Sequence, residues 1–218
     1  MKGVIFDLDG TLLNTIDDIA DSMNAVLKRH GFPPHKTDKY KIFTGDGVAN
    51  LVKRAATEAE AAGFGLAELE AEYLAEYQAR QADKTAPYPG IPRLLSELPG
   101  LGVKMAVLSN KPHDSTLAVV ARFFPGVPFE AVIGERTGRP IKPDPAGALE
   151  ILNIFGLRSE EALYVGDTGT DMSTAKAAGI KSVGALWGFR GGAELLESGA
   201  DALAECPLDL LELLNSQN

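Results

Sequence analysis

The chain is expected to fold as an α/β protein, a buried parallel sheet covered by helices, with a helical domain inserted behind the first strand. Three features carry that expectation. Short apolar runs end repeatedly in polar or glycine-rich turns, longer segments of helical period lie between them, and residues 15–83 read as helix almost throughout. Parallel strands buried on both faces have this near-continuous apolar character.

Taken in order, Val4-Ile5-Phe6 runs into Asp7-Leu8-Asp9-Gly10, and a strand over 103–108 runs into Ser109-Asn110. Strands over 129–133, 163–165 and 181–186 end at Gly134, at Gly166-Asp167 and near Gly188. Ligands of open parallel sheets sit beyond the carboxyl ends of the strands, so these turns are where chemistry is to be sought. Helices are expected over 90–98, 114–124, 145–155, 170–178 and 208–214. Pro145 suits a first turn, where its missing N–H is not needed, and Gly156 and Gly179 suit helix ends.

The insertion is expected to hold helices over 16–30, 48–62 and 66–83, with one strand-like segment at 40–43. Pro33-Pro34 and Gly45-Asp46-Gly47 mark its internal turns. Its Ala/Glu-rich pattern reads as a solvated helix face. The expected division is a core of residues 1–14 and 84–218 and an inserted domain of residues 15–83, with Pro87-Tyr88-Pro89-Gly90 as a stiff hinge.

Composition narrows the function. With 218 residues, 45% hydrophobic and 23% charged, the chain is that of a folded protein. A net charge of −9 argues against nucleic acid as a partner, since that affinity rests on Lys and Arg. A small anion remains compatible if a few cations converge. Cys206 is the single cysteine, which excludes an intrachain disulfide and a cysteine-held zinc and suits a reducing cytoplasm. No apolar run approaches the roughly 20 residues of a membrane span, and Asp7 and Asp9 interrupt any signal-peptide core. A cytoplasmic protein is expected; nothing in the sequence speaks to its oligomeric state.

The chemistry gathers at the strand ends. In Asp7-Leu8-Asp9-Gly10-Thr11, residues two apart on an extended strand point the same way, so both carboxylates can face one pocket. Aspartate is a residue type that forms aspartyl-phosphate, and Gly10 lets the chain turn and bring its amides to a phosphate. In Gly166-Asp167-Thr168-Gly169-Thr170-Asp171, Asp167 closes a strand and Asp171 falls in the first turn of a helix. Capping explains Asp171 but not Asp167. Ser109 offers a hydroxyl at a strand end, and Lys142 in Ile141-Lys142-Pro143-Asp144-Pro145 offers an ammonium beside a helix start. Alone, each is an ordinary loop residue.

Together they make a physical demand. Carboxylates ~4 Å apart at an effective dielectric of ~20 repel by roughly 4 kcal/mol per pair. Gathering Asp7, Asp9 and Asp167 therefore calls for compensation, and a divalent cation with Lys142 provides it. Hard oxygen ligands point to Mg²⁺.

The four segments, in this order, resemble the motifs of the haloacid dehalogenase superfamily of phosphotransferases: Asp7-Leu8-Asp9-Gly10-Thr11, Ser109-Asn110, Lys142-Pro143 and Gly166-Asp167-Thr168-Gly169-Thr170-Asp171. Gly45-Asp46-Gly47 with Leu51 and Arg54-Ala55, Ser109-Asn110-Lys111-Pro112, and Trp187-Gly188-Phe189-Arg190 resemble its phosphoglycolate phosphatase-like members. Asn14 departs from the pattern, where many relatives are acidic. The resemblance implies a Rossmann-like core with a helical cap, and a Mg²⁺-dependent phosphatase acting on a small phosphorylated metabolite. It implies Asp7 as nucleophile, Asp9 as acid and base, and Mg²⁺ held by Asp7, the Asp9 carbonyl and Asp167, with Asp171 near or linked by water. Ser109 and Lys142 would hold phosphoryl oxygens, joined by Gly10, Thr11 and Asn110 at the substrate.

Arg54 is a candidate for a substrate carboxylate reached from the cap, since guanidinium suits that pairing, against the common alternative of an exposed helix arginine. His30, His35 and His113 lack ligand spacing; His30 is expected to end a helix, His113 to lie at the surface and Trp187 to pack. A sugar phosphomutase or an inorganic pyrophosphatase of the same superfamily fits the same motifs, and a phosphoryl-accepting switch shares a strand-end Asp with Mg²⁺. The acid–base Asp9 and the inserted domain weigh against the switch.

Overall fold

The computed structural model describes residues 1–80 and 82–215. In chain order the strands are β1 (Gly3–Phe6), β2 (Leu13–Asn14), β3 (Ala86–Pro87), β4 (Lys104–Pro112), β5 (Phe129–Glu135), β6 (Ala162–Gly166), β7 (Lys181–Ala185) and β8 (Ala202–Ala204). The inserted helices are α1 (Ile16–Arg29), α2 (Thr37–Phe43), α3 (Val48–Ala55), α4 (Thr57–Ala61) and α5 (Leu66–Arg80). Beside the sheet lie α6 (Ile91–Glu97), α7 (His113–Phe123), α8 (Ala146–Phe155), α9 (Gly169–Ala178), α10 (Gly192–Glu197) and α11 (Asp209–Asn215).

Six strands form one all-parallel sheet in the order β5-β4-β1-β6-β7-β8. The expected Rossmann-like α/β core is therefore present. The chain builds outward from β1 to β4 and β5, then returns to lay β6 on the other side of β1. Such a reversal opens a crevice at the carboxyl edge. Phe6 sits level with Val107 and Val165, so β1, β4 and β6 deliver their C-terminal residues to the same place.

All of β1 is buried, and its side chains alternate between two apolar layers. Val4 and Phe6 pack with Leu94, Leu95, Val119 and Leu210. Ile5 packs on the opposite face with Ile151, Leu152, Phe155 and Ala175. Thus α6, α7 and α11 cover one face and α8 and α9 the other.

The insertion has its own apolar cluster. Ile16, Ile19, Ala20, Met23, Val26 and Leu27 form one stripe of α1 against Tyr40, Leu51, Val52, Leu69, Tyr73 and Tyr77. Thr15 makes no side-chain cap bond at the head of α1. A cap contributes about 1 kcal/mol, whereas each large buried side chain contributes roughly 1.5–3 kcal/mol, so packing rather than capping holds this helix.

Several local expectations needed correction. Residues 40–43 belong to α2, not to a strand. The rings of Tyr40 and Phe43, three residues apart, meet at 5.5 Å, which helical spacing permits. The helix expected over 48–62 breaks at Ala56 into α3 and α4, where the Thr57 hydroxyl donates to the Arg54 carbonyl. The helix expected over 66–83 is described as far as Arg80, and Gln81 lies outside the described residues. Strand β4 runs on through Ser109-Asn110-Lys111. Neither β8 nor the two-residue ribbon of β2 and β3 was expected.

That ribbon joins the two ends of the insertion, Leu13 beside Pro87 and Asn14 beside Ala86. Asp18 reinforces it from the first turn of α1. Its buried carboxylate accepts from the Lys84 N–H at 3.0 Å, the Thr85 N–H at 2.9 Å and the Thr85 hydroxyl at 2.6 Å. Asp18→Ala strands those donors and is expected to cost about 3 kcal/mol, read as a lower urea midpoint. Asp21→Ala, which removes an exposed pair with Lys84, is expected to shift it by less than about 1 kcal/mol.

Candidate active site

Asp7 follows β1 directly, and its N–H donates to the Val165 carbonyl at 2.9 Å, so β6 fixes its backbone. Its carboxylate lies 2.8 Å from Lys142 Nζ. The same ammonium donates to Asp171 Oδ1 at 2.6 Å. Lys142 is itself positioned by Asn110, whose Oδ1 accepts the Lys142 N–H at 2.8 Å and whose Nδ2 donates to the Lys142 carbonyl at 3.0 Å. A residue of β4 therefore holds the lysine loop against β1 and α9.

Asp167 and Asp171 are both fully buried. Asp171 Oδ2 accepts from the Thr168 N–H at 3.1 Å and its hydroxyl at 2.7 Å, a capping box in which Thr168, and not Thr170, heads α9. Asp167 accepts from the Thr11 hydroxyl at 2.8 Å and the Phe189 N–H at 2.8 Å. Gly10 makes room: at φ 94 it holds a left-handed conformation, and a Cβ there would lie 2.2 Å from Asp167 Oδ2. Gly10 and Thr11, expected at the substrate, pack on Asp167, and the Trp187 indole N–H donates to the Thr11 carbonyl at 2.9 Å.

Carboxylate oxygens of Asp7, Asp167 and Asp171 all lie within 4.8 Å of one another. Against these three stands one ammonium, Lys142, which leaves two negative charges if all are ionised. Burial, then the charge of Asp171, raises Asp7 to about 7 even with Lys142 beside it. Burial and Asp7 push Asp167 well above the carboxylate range. Burial pulls the Lys142 ammonium down, but Asp171 and Asp7 together hold it well above the ordinary lysine value. Such a set of buried, hard oxygen donors with a deficit of positive charge fits a divalent cation.

An open cleft lies above this cluster. Asp7, Asp9, Ser109, Asn110 and Lys142 line its floor, and Ile19, Leu51, Tyr73, Leu74 and Tyr77 of the insertion face them. The carboxylate of Asp9, expected to gather with Asp7 and Asp167, pairs instead with Lys111, whose Nζ lies 3.1 Å from Oδ1 and 3.2 Å from Oδ2, and Asp171 takes its place in the buried group. Lys111 also donates to the Tyr77 hydroxyl at 2.6 Å.

Arg54 is not brought into this cleft. It pairs with Asp46 at 2.5 Å and donates to the Phe43 carbonyl at 3.0 Å. Among the histidines, His30 ends α1 and pairs with Glu72 at 2.7 Å, and His35 meets the Ala55 carbonyl at 2.8 Å. His113 is less of a surface residue than expected: its Nδ1 accepts the Gly134 N–H at 3.2 Å. Lys111, quoted above only as part of Ser109-Asn110-Lys111-Pro112, and Tyr77 had no role in the sequence reading. The two-residue alternation that pairs Asp7 with Asp9 also pairs Ser109 with Lys111, so that signal was present; Tyr77 had none.

Sheet order, strand-end acids and the lysine between them define an α/β protein with an acidic site at the carboxyl edge of its sheet. The chain belongs to the haloacid dehalogenase-like hydrolase family, whose family model matches residues 4–185. It is 35% identical to phosphoglycolate phosphatase 1 of Pseudomonas aeruginosa over 95% of this chain and 78% of that protein. It is 31% identical to the phosphoglycolate phosphatase of Aquifex aeolicus over 99% of this chain and 98% of that protein. A crystal structure of a predicted phosphoglycolate phosphatase from Haemophilus somnus superposes with a TM-score of 0.90 at 27% identity, covering 98% of this chain and 97% of that one.

The raised carboxyls set a pH dependence. The folded state keeps a proton on Asp7 between 3.8 and about 7, where the unfolded chain has lost it, so cation-free stability falls as pH rises through that window. A divalent cation held by the ionised carboxylates would remove the penalty. Thermal unfolding with and without the cation is expected to show a gain in Tm that is larger at pH 8 than at pH 5.

Proposed function

We propose that this chain is a Mg²⁺-dependent phosphatase that hydrolyses a small phosphomonoester through a phosphorylated Asp7, with 2-phosphoglycolate as the leading substrate. The observation that carries the reading is the Asp7 carboxylate at the floor of the cleft, 2.8 Å from Lys142 and grouped with Asp167 and Asp171. The names of the Pseudomonas aeruginosa and Aquifex aeolicus relatives support the substrate. The lone cysteine suits a cytoplasmic enzyme.

In this reading Asp7, Asp167 and the Asp9 carbonyl would hold Mg²⁺, with Asp171 close by. When bound, the ion supplies positive charge to the phosphoryl oxygens and keeps the carboxylates ionised. An Asp7 oxygen forms a bond to phosphorus as the bond to the leaving oxygen breaks, and Asp9 gives that oxygen a proton. Asp9 then takes a proton from the water that attacks the same phosphorus, and Asp7 is released. Lys142 and Ser109 hold the phosphoryl oxygens throughout, the electrostatic part that dominates phosphoryl transfer. Thr11 and the Phe189 N–H keep Asp167 in place. The inserted helices serve as a cap that excludes bulk water while the intermediate persists.

Phosphate release from 2-phosphoglycolate is expected to require Mg²⁺, to vanish in Asp7→Asn and to fall roughly 10²–10⁴-fold in kcat in Asp9→Asn. Undiminished turnover in excess chelator would refute the reading. Isomerisation of a sugar phosphate without free phosphate would replace it with a phosphomutase.

A further inference from the structure

The cleft lining contains two cationic side chains among the described residues, Lys142 and Lys111. Lys142 is committed to Asp7 and Asp171. Lys111 differs in kind. Its side chain is only 5% exposed, yet its single carboxylate partner, Asp9, is 18% exposed and stands at the open side of the site. Tyr77 steadies the ammonium twice over, accepting from Nζ at 2.6 Å and presenting its ring 4.3 Å away. Arg54, the residue expected to read a carboxylate, is held by Asp46 and the Phe43 carbonyl outside the lining.

We propose that Lys111 is the specificity-determining residue, exchanging Asp9 for a carboxylate that the substrate carries one carbon beyond its ester oxygen. The proposal rests on the phosphatase reading above, which sets the leaving oxygen beside Asp9. An ammonium hydrogen-bonded to Asp9 is then within reach of a carboxylate separated from that oxygen by a single methylene. When Asp9 turns to the leaving oxygen, Lys111 would lose its counter-ion in a nearly dry position. A buried unpaired charge is strongly disfavoured, so a substrate that brings its own carboxylate is favoured and a neutral one is penalised. Discrimination of this kind comes from the group left unpaired by the wrong ligand, which is why it exceeds what an apolar contact provides. Because Tyr77 belongs to α5, the insertion sets where the ammonium stands.

The test uses the full chain with Mg²⁺ and two esters of one shape, 2-phosphoglycolate and its uncharged amide, 2-phosphoglycolamide. The wild type is expected to favour the carboxylate by about 10–100-fold in kcat/KM, the range of a charge-assisted hydrogen bond. Lys111→Met is expected to bring that ratio to within about threefold, and Lys111→Arg to keep most of it. An equal loss on both esters in Lys111→Met would overturn the proposal, because Lys111 would then only support Asp9; so would a wild-type ratio near one. Calorimetric binding of both esters to Asp7→Asn, with and without Lys111→Met, reads the same discrimination without turnover. Discrimination in binding that depends on Lys111, with no phosphate released by the wild type, would keep the Lys111 assignment and sink the phosphatase reading. Phosphate release with no discrimination would do the reverse, and failure of both esters to bind overturns the assignment.

Discussion

Three buried carboxylates facing one ammonium impose the condition that the rest of this molecule accommodates. Asp7, Asp167 and Asp171 cannot all ionise around Lys142 without further positive charge, since each near pair repels by roughly 4 kcal/mol at an effective dielectric of ~20. The scaffold offsets part of this with hydrogen bonds to Asp167 from Thr11 and Phe189 and to Asp171 from Thr168. It leaves Asp7 less satisfied, with its pKa raised by burial first and by Asp171 second. A residual deficit at the residue facing the cleft is compatible with a bound cation. It also gives up stability that a fully paired core would have kept.

The arrangement is rigid where it must be. Asp7 is tied to β6 through its own N–H, and Lys142 is tied to β4 through Asn110. Because Asn110 also donates to the Gly45 carbonyl at 3.1 Å, the amide that positions the lysine touches the insertion as well. Arg190 adds a second crossing, donating to the Ile42 and Thr44 carbonyls, and Thr170 a third, donating to Asp46 at 2.5 Å. These contacts meet at the turn Gly45-Asp46-Gly47, where the left-handed conformations of Gly45 and Gly47 let the chain pass close to the core.

The polar crossings contrast with the apolar interior of the insertion. Its helices hold one another through the stripe of α1 and the tyrosines of α5, Phe189 joins that cluster from beyond β7, and Asp18 ties α1 to Thr85 by hydrogen bonds. Hydrogen bonds of this kind contribute about 1 kcal/mol each, far less than a packed apolar layer. Tyr77 links α5 to Lys111 and so to Asp9.

The sheet was legible in the chain because parallel strands must be apolar on both faces, and Val4-Ile5-Phe6 and Leu163-Tyr164-Val165 obey that rule locally. The strand-end acids were legible for the same reason: where an apolar run stops, its last side chains face the crevice. Two-residue alternation determined that Asp7 and Asp9 leave the sheet on one side. It determined as much for Ser109 and Lys111, although a strand ending at Leu108 concealed it. Tertiary structure alone decided the partners. That Thr11 faces Asp167, that Arg54 turns to Asp46 and not to the cleft, and that Tyr77 meets Lys111 depend on residues many positions apart. Local pattern fixes which way a side chain points, because that follows from backbone dihedrals. Which charge it meets there follows from how the helices and sheet pack, and no neighbour in sequence carries that information.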